Sequence, residues 1–251
     1  MPRSFALARR LFAYRQPASL ALSLALAALT GSVVAHAQFS APPAGTQVRD
    51  ASVLKPPAGA RVAIVEFEDM ECPDCGRANP VLKKAAADYH IPWIRHDFPL
   101  PMHAWSFNAA VNARWFDAAK GKAVGDEYRD QVFASQAAII NNAALRQFTE
   151  NFAKSHGLSV PFAIDPQGKL AAEVKADYAI GQRVGIEHTP TIWVVTANSK
   201  GAPFVEVLDR SKLYQMIDQA LADTASAAKA APAKTPAKTA AKPAVKKPAA
   251  K

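Results

Sequence analysis

The stretch Ala63-Ile64-Val65-Glu66-Phe67-Glu68-Asp69-Met70-Glu71-Cys72-Pro73-Asp74-Cys75 decides the fold. Its cysteines are the two cysteines of the 251-residue chain. With no others present there is no structural disulfide framework to build, so the C-x-x-C is redox-active, part of a metal site, or chance. Arg61–Phe67 reads as a central strand, because its β-branched and apolar residues run too continuously for a half-exposed one. A helix is expected from about Cys72 to Tyr89, kinked at Pro80. Two sulfurs three residues apart can close a small ring when the first stands at a helix start. Free backbone N–H groups and the helix dipole stabilise a thiolate there.

Ile91–Phe98 alternates enough to be a second strand, giving a β-α-β opening. Helical spacing follows near Ala104–Lys120, Asp126–Gln136, Ala143–His156 and Gln167–Arg183, with a short apolar piece at Phe162–Asp165. Thr191–Thr196 and Phe204–Leu208 read as strands paired across a turn-rich loop. Ser211–Ala222 is an amphipathic helix with Leu213, Met216, Ile217 and Leu221 on one side. The order β-α-β, helices, β-β-α is an α/β thioredoxin arrangement with a helical domain inserted at about 100–180.

The ends differ from this body. Residues 1–37 combine Arg3, Arg9, Arg10 and Arg15 with the apolar block Ala18–Leu29 and Ala35-His36-Ala37, the pattern of a signal peptide cleaved after Ala37. An uncleaved anchor is the alternative. Residues 38–59, with Pro42-Pro43 and Pro56-Pro57, read as a linker or lead-in segment. Residues 60–224 form one domain, and 225–251, almost all Ala, Lys, Pro and Thr, read as a disordered tail. Of the formal net charge of +9, four signal arginines and seven tail lysines supply eleven positive charges and leave the body at −2. The high pI is therefore no sign of a basic binding face on the domain. No phosphate loop, Ser/His/Asp pattern or hydrolytic carboxylate pair is present.

Three segments carry a family resemblance. The opening stretch resembles the active-site segment of DsbA-like thiol–disulfide oxidoreductases. Phe98-Pro99-Leu100-Pro101-Met102-His103 is similar to their segment after the second core strand, and Gly185-Ile186-Glu187-His188-Thr189-Pro190-Thr191 to their Thr-Pro-Thr loop. From Cys75 to Pro190 is 115 residues, a gap that the helical insertion fills. The resemblance implies disulfide exchange at Cys72 and Cys75 with no dissociable cofactor. Its partners would be cysteine-containing protein substrates and a membrane or soluble redox protein.

On this reading Cys72 is the exposed nucleophile at the helix N-cap, Pro73 occupies the first turn, and Cys75 is the buried resolving thiol. Glu66 matches the family's buried acid that handles the proton of Cys75; the alternative is a strand-end residue paired with a lysine. Pro190 is expected to be cis and to pack on the cysteines, leaving the Thr189 backbone for an extended substrate. Pro73, Asp74 and His188 are expected to face that substrate with Thr189. The family's own relative has histidine where this chain has Asp74. A carboxylate there, with an acidic rim of Glu68, Asp69 and Glu71, should either raise the Cys72 pKa and make the couple less oxidising, or be screened by water. His188 either approaches Cys72 or is a half-exposed loop residue.

A half zinc site lacks a second cysteine pair, and the histidines are scattered without ligand spacing, so no metal is expected. Oxidase is the family default, while the acids favour a reductase or isomerase. The rival class is a non-enzymatic envelope binding protein that holds an anionic partner through its tail; a metal chaperone is a third. The expected location is the periplasm or another extracytoplasmic space, where nucleic acid is not an expected partner.

Overall fold

The structure, a computed structural model, describes residues 45–230. The proposed signal peptide, the first part of the lead-in and residues 231–251 of the tail lie outside the described residues. Strand β1 (Val62–Glu68) leads into helix α1 (Pro73–Tyr89) and strand β2 (Trp93–Asp97). Four helices follow: α2 (Ser106–Lys120), α3 (Lys122–Ser135), α4 (Asn142–Ser155) and α5 (Lys169–Val184). Strands β3 (Thr191–Thr196) and β4 (Phe204–Glu206), a 3-10 turn at Arg210–Lys212 and helix α6 (Leu213–Ala230) complete the order. The sheet runs β2-β1-β3-β4; β1 is parallel to β2 and antiparallel to β3, which pairs antiparallel with β4.

Every residue of β1 is buried, as the unbroken apolar run requires of a strand covered on both faces. The alternation sorts its side chains between two layers. Val62 and Ile64 pack with Ala78 and Leu82 of α1 and Leu213 and Ile217 of α6. Ala63, Val65 and Phe67 pack with Phe98, Val184 and Trp193 on the other face. Helix α5 comes close there because residue 181 is glycine: a Cβ would lie 2.4 Å from the Phe98 ring. The inserted helices build their own core around Phe116, Tyr128, Leu145 and Phe152, which extends to Met70, Cys72 and Cys75. The insertion therefore packs against the cysteine turn itself.

Several expected boundaries change. Helix α1 includes Pro80 within one continuous helix. Helix α3 begins at Lys122, four residues before the expected Asp126, because Gly121 at φ +90° turns α2 directly into α3. The short apolar piece at Phe162–Asp165 lies between α4 and α5 outside any strand or helix, with Phe162 fully exposed. Helix α6 continues to Ala230, beyond the expected domain end at 224, because the alanine-rich start of the tail is good helix former. The lead-in is not a free linker over its described part. The Arg49 N–H donates to the Val184 carbonyl (2.8 Å), Thr46 binds the Glu206 carboxylate through its N–H and hydroxyl, and Leu54 is buried. It contains no strand between residues 45 and 61.

Candidate active site

The chain leaves β1 in a tight turn: the Glu71 N–H donates to Asp69 Oδ1 (2.7 Å) and the Cys72 N–H to the Asp69 carbonyl (3.0 Å). Cys72 then takes an extended conformation (φ −71°, ψ 120°) as the N-cap of α1, with Pro73 as the first helical residue. Proline loses nothing there, since that N–H would be unpaired. A cysteine N-cap offers no capping oxygen, so the amides of Asp74 and Cys75 are left to face the Cys72 sulfur. A hydrogen bond from the Cys75 thiol is the largest influence on Cys72. With the Thr189 side chain and those two amides able to donate to the thiolate, it outweighs burial and lowers the Cys72 pKa from 9.0 to about 5.

Cys75 behaves in the opposite way. It has 0% exposure, and burial pushes its thiol well above the ordinary value. The Asp69 N–H donates to its sulfur at 3.4 Å. The expected exposure of Cys72 needs correction: the residue retains 7% of its surface. Thr189 lies across it, and the Cys72 thiol donates to the Thr189 carbonyl at 3.3 Å. The Thr189–Pro190 peptide is cis. Residues 72 and 189, remote in sequence, are thus in contact. The Thr189 hydroxyl oxygen is buried and hydrogen-bonded to nothing among the described residues, which leaves it available to a Cys72 thiolate.

Glu66 sits mid-strand with 1% exposure and has no lysine partner among the described residues, so the strand-end alternative does not describe it there. The Trp93 indole N–H donates to Glu66 Oε2 at 3.0 Å. Burial, and then the neighbouring Glu68 charge, raise the Glu66 pKa to about 8, so at neutral pH it holds a proton. Its field also acts on Cys75.

The acids around the cysteines are not an acidic rim. Glu68 is buried between Arg95 and Arg129, whose guanidinium also holds Asp97. Asp69 is buried and accepts from the Leu100 N–H (2.6 Å), with His103 Nδ1 at 2.7 Å. Glu71 accepts from the Trp105 and Ser106 N–H groups and so caps α2. Asp74 is half-exposed and bidentate with Arg210 (2.7 and 3.0 Å), and Arg77 lies 3.1 Å away. The Arg210 hydrogen bond, ahead of the charges themselves, lowers the Asp74 pKa. Of the two expected effects of these acids, a raised Cys72 pKa does not appear: each acid has a partner, and the Cys72 pKa is lowered by hydrogen bonds, that of Cys75 first. His188 is exposed, and no hydrogen bond joins its ring to Cys72 among the described residues; its carbonyl accepts from the Thr191 hydroxyl.

Sequence reasoning missed three contributors. Trp93 reads as an ordinary core aromatic, though its place one alternation before Arg95 on β2 puts it on the Glu66 side. Gln136, just after α3, donates to the Met70 and Cys72 carbonyls (2.8 and 2.9 Å). Arg210 comes from the turn before α6. No sequence spacing links either of the last two to the cysteines.

Residues 57–211 match the family model described as thioredoxin. The chain belongs to the thioredoxin family. Solved structures extend the likeness to the insertion. Alpha-DsbA1 of Wolbachia pipientis superposes with a TM-score of 0.54 at 15% identity, over 70% of this chain and 92% of that one. A periplasmic thioredoxin-like protein from Salmonella enterica serovar Typhimurium gives 0.52 at 17%, over 66% and 87%. ScsC of Proteus mirabilis, in a transitional conformation, gives 0.51 at 19%, over 66% and 71%. At these identities the likeness is one of fold, and the expected thioredoxin fold with a DsbA-type helical insertion is the one found.

The thioredoxin-family chain is also 26% identical, over 171 residues, to Na(+)/H(+) antiporter NhaA 3 of Salinispora tropica. The match covers 63% of this chain, which spans about a quarter (24%) of that relative's length. Among the described residues no helix is long and apolar enough to cross a membrane.

Proposed function

We propose that this chain is an exported thiol–disulfide oxidoreductase that introduces disulfides into protein substrates through Cys72 and Cys75. One observation carries the reading: a low-pKa sulfur at the tip of α1 under the Thr189 carbonyl, with its resolving thiol buried one turn below. A stabilised Cys72 thiolate favours the reduced enzyme, which makes its disulfide the better oxidant. This supports oxidation over the reductase or isomerase direction, because the acids that argued for the latter are neutralised.

In the forward reaction a substrate thiolate attacks Cys72 of the Cys72–Cys75 disulfide. A substrate–Cys72 disulfide forms, the intramolecular bond breaks, and Cys75 leaves as a thiolate that takes the proton of Glu66. A second substrate thiolate attacks the substrate sulfur of the mixed disulfide, forming the substrate disulfide and expelling Cys72 as thiolate. Two electrons then rest on the enzyme dithiol, and a membrane or soluble redox protein removes them. The cis Pro190 loop offers the Thr189 backbone to an extended substrate, beside Pro73, Asp74 and the exposed His188. Export rests on the pattern of residues 1–37, and agrees with the periplasmic location of the similar Salmonella protein.

The test is equilibration of the purified chain in a glutathione series, followed by oxidation of a reduced, unfolded substrate protein. A potential more oxidising than glutathione, with activity lost in Cys72→Ser, is expected. A strongly reducing couple would remove the oxidase assignment. Binding of an anionic partner that survives Cys72→Ser and disappears on deletion of 225–251, with no exchange activity in the parent chain, would favour the tail-driven binding protein.

A further inference from the structure

Arg210 lies outside the cysteine turn, 136 residues from Asp74 in sequence, yet its guanidinium meets the Asp74 carboxylate fork to fork at 2.7 and 3.0 Å. Asp74 sits inside the C-x-x-C. An unpaired carboxylate there would oppose a thiolate at Cys72. Yet neither Asp74's charge nor Arg210's is among the leading influences on Cys72, to which Asp74 contributes its backbone N–H. The bidentate contact sets a positive charge directly against that carboxylate. The Asp74 hydrogen bond is the first cause of the raised Arg210 pKa, and the Cys75 and Glu66 charges contribute after it.

We propose that Arg210 is a positioning residue of the redox centre: it cancels the Asp74 carboxylate and thereby lets the N-terminus of α1 stabilise the Cys72 thiolate. The proposal deepens the oxidoreductase reading and rests on it. Arg77, also paired with Asp74, is the weaker counter-ion because its side chain is 66% exposed and on the same helix, whereas that of Arg210 is 31% exposed. The remaining charged groups near Cys72 have their own roles. From β1, Glu66 is protonated at neutral pH. From the turn, Asp69 is engaged by His103 and Leu100, and Glu71 caps α2. From the loop, His188 faces solvent. Among the described residues, Arg77 is the other cation paired with a carboxylate at position 74.

The test follows thiolate absorbance of the reduced full-length chain against pH, with circular dichroism to verify folding of each variant. Arg210→Gln should decrease the Cys72 ionisation constant about three- to tenfold. Arg77→Gln should change it less than about twofold, as an exposed ion pair does. Arg210→Lys should recover most of the loss by keeping the charge. Asp74→Asn in the Arg210→Gln background should return the constant to within about twofold of the parent. An Arg210→Gln titration equal to the parent's, or a double variant no better than Arg210→Gln alone, overturns the proposal. Thiol exchange with glutathione, measured separately on the parent chain, decides the oxidoreductase reading without touching this one.

Discussion

The Trp93 indole N–H donates to Glu66 Oε2 at 3.0 Å, holding one carboxyl oxygen from the neighbouring strand and leaving Oε1 for a proton. A neutral donor in a buried site lowers the carboxyl pKa less than a cation in contact would, and Glu66 stays at about 8. Substrate attack on the oxidised enzyme should therefore slow as pH rises through about 8, when Glu66 can no longer protonate Cys75. Glu66→Gln should slow that step about tenfold or more at pH 7. Trp93→Phe, which removes a pKa-lowering hydrogen bond, should move the alkaline limb upward. Stopped-flow pH profiles of mixed-disulfide formation check all three.

The same group links stability to pH. The Glu66 pKa is raised on folding, so the folded state holds the proton more tightly than the unfolded state. Stability should fall as pH rises between about 4.5 and about 8. Glu66→Gln removes that dependence and should be more stable than the parent at pH 9 by about 1–3 kcal/mol. Urea unfolding of the oxidised forms at pH 5, 7 and 9 measures it.

Cys72 has the reverse sign. Its pKa is depressed from 9.0 to about 5, so the reduced protein carries the full contribution above 9 and loses it as pH falls through 5. Reduced parent protein should gain stability over Cys72→Ser between pH 4 and pH 8. Cys75→Ala, which deletes the strongest hydrogen bond to Cys72, should move the thiolate midpoint upward by about one pH unit or more. Denaturation midpoints and thiolate absorbance report the two effects.

Thr189→Val removes a buried hydroxyl that, among the described residues, has no partner until Cys72 ionises. The thiolate midpoint should rise by about half to one pH unit. Stability of the oxidised form should change by less than about 0.5 kcal/mol, or improve, because an unsatisfied polar group is lost. Paired thiolate titrations and thermal melts separate the effects.

Arg129→Met should destabilise the fold by about 3–5 kcal/mol, since it leaves Glu68 and Asp97 buried with one cation fewer. Denaturant unfolding provides the value. A change below about 1 kcal/mol would mean that the arginine is not needed to compensate these acids.

The β-α-β opening, the helices of the insertion and the Thr-Pro-Thr loop were legible because each is a local pattern: a continuous apolar strand, helical spacing, or a short motif. The charges were not. Glu66 and Glu68 are two apart on a strand, as are Arg95 and Asp97 on its parallel neighbour, and that alternation puts all four on the same side of the sheet. Read as a run, Glu68, Asp69 and Glu71 suggest a solvated acidic patch; read by alternation and turn geometry, they point to three different partners. Those partners, at Arg129, His103 and the start of α2, are separated from the acids by 34 to 61 residues and become neighbours through tertiary topology. The extended helix at 225–230 was missed because composition alone does not distinguish alanine continuing a docked helix from alanine in a free tail.

Gln136 grips the carbonyls of Met70 and Cys72, and a methyl added at Gly76 would lie 2.6 Å from its Oε1. The insertion is therefore not an interchangeable cassette. A chimera that borrowed these helices from a related scaffold would inherit a redox loop without its clasp unless positions 76 and 136 travelled as a matched set.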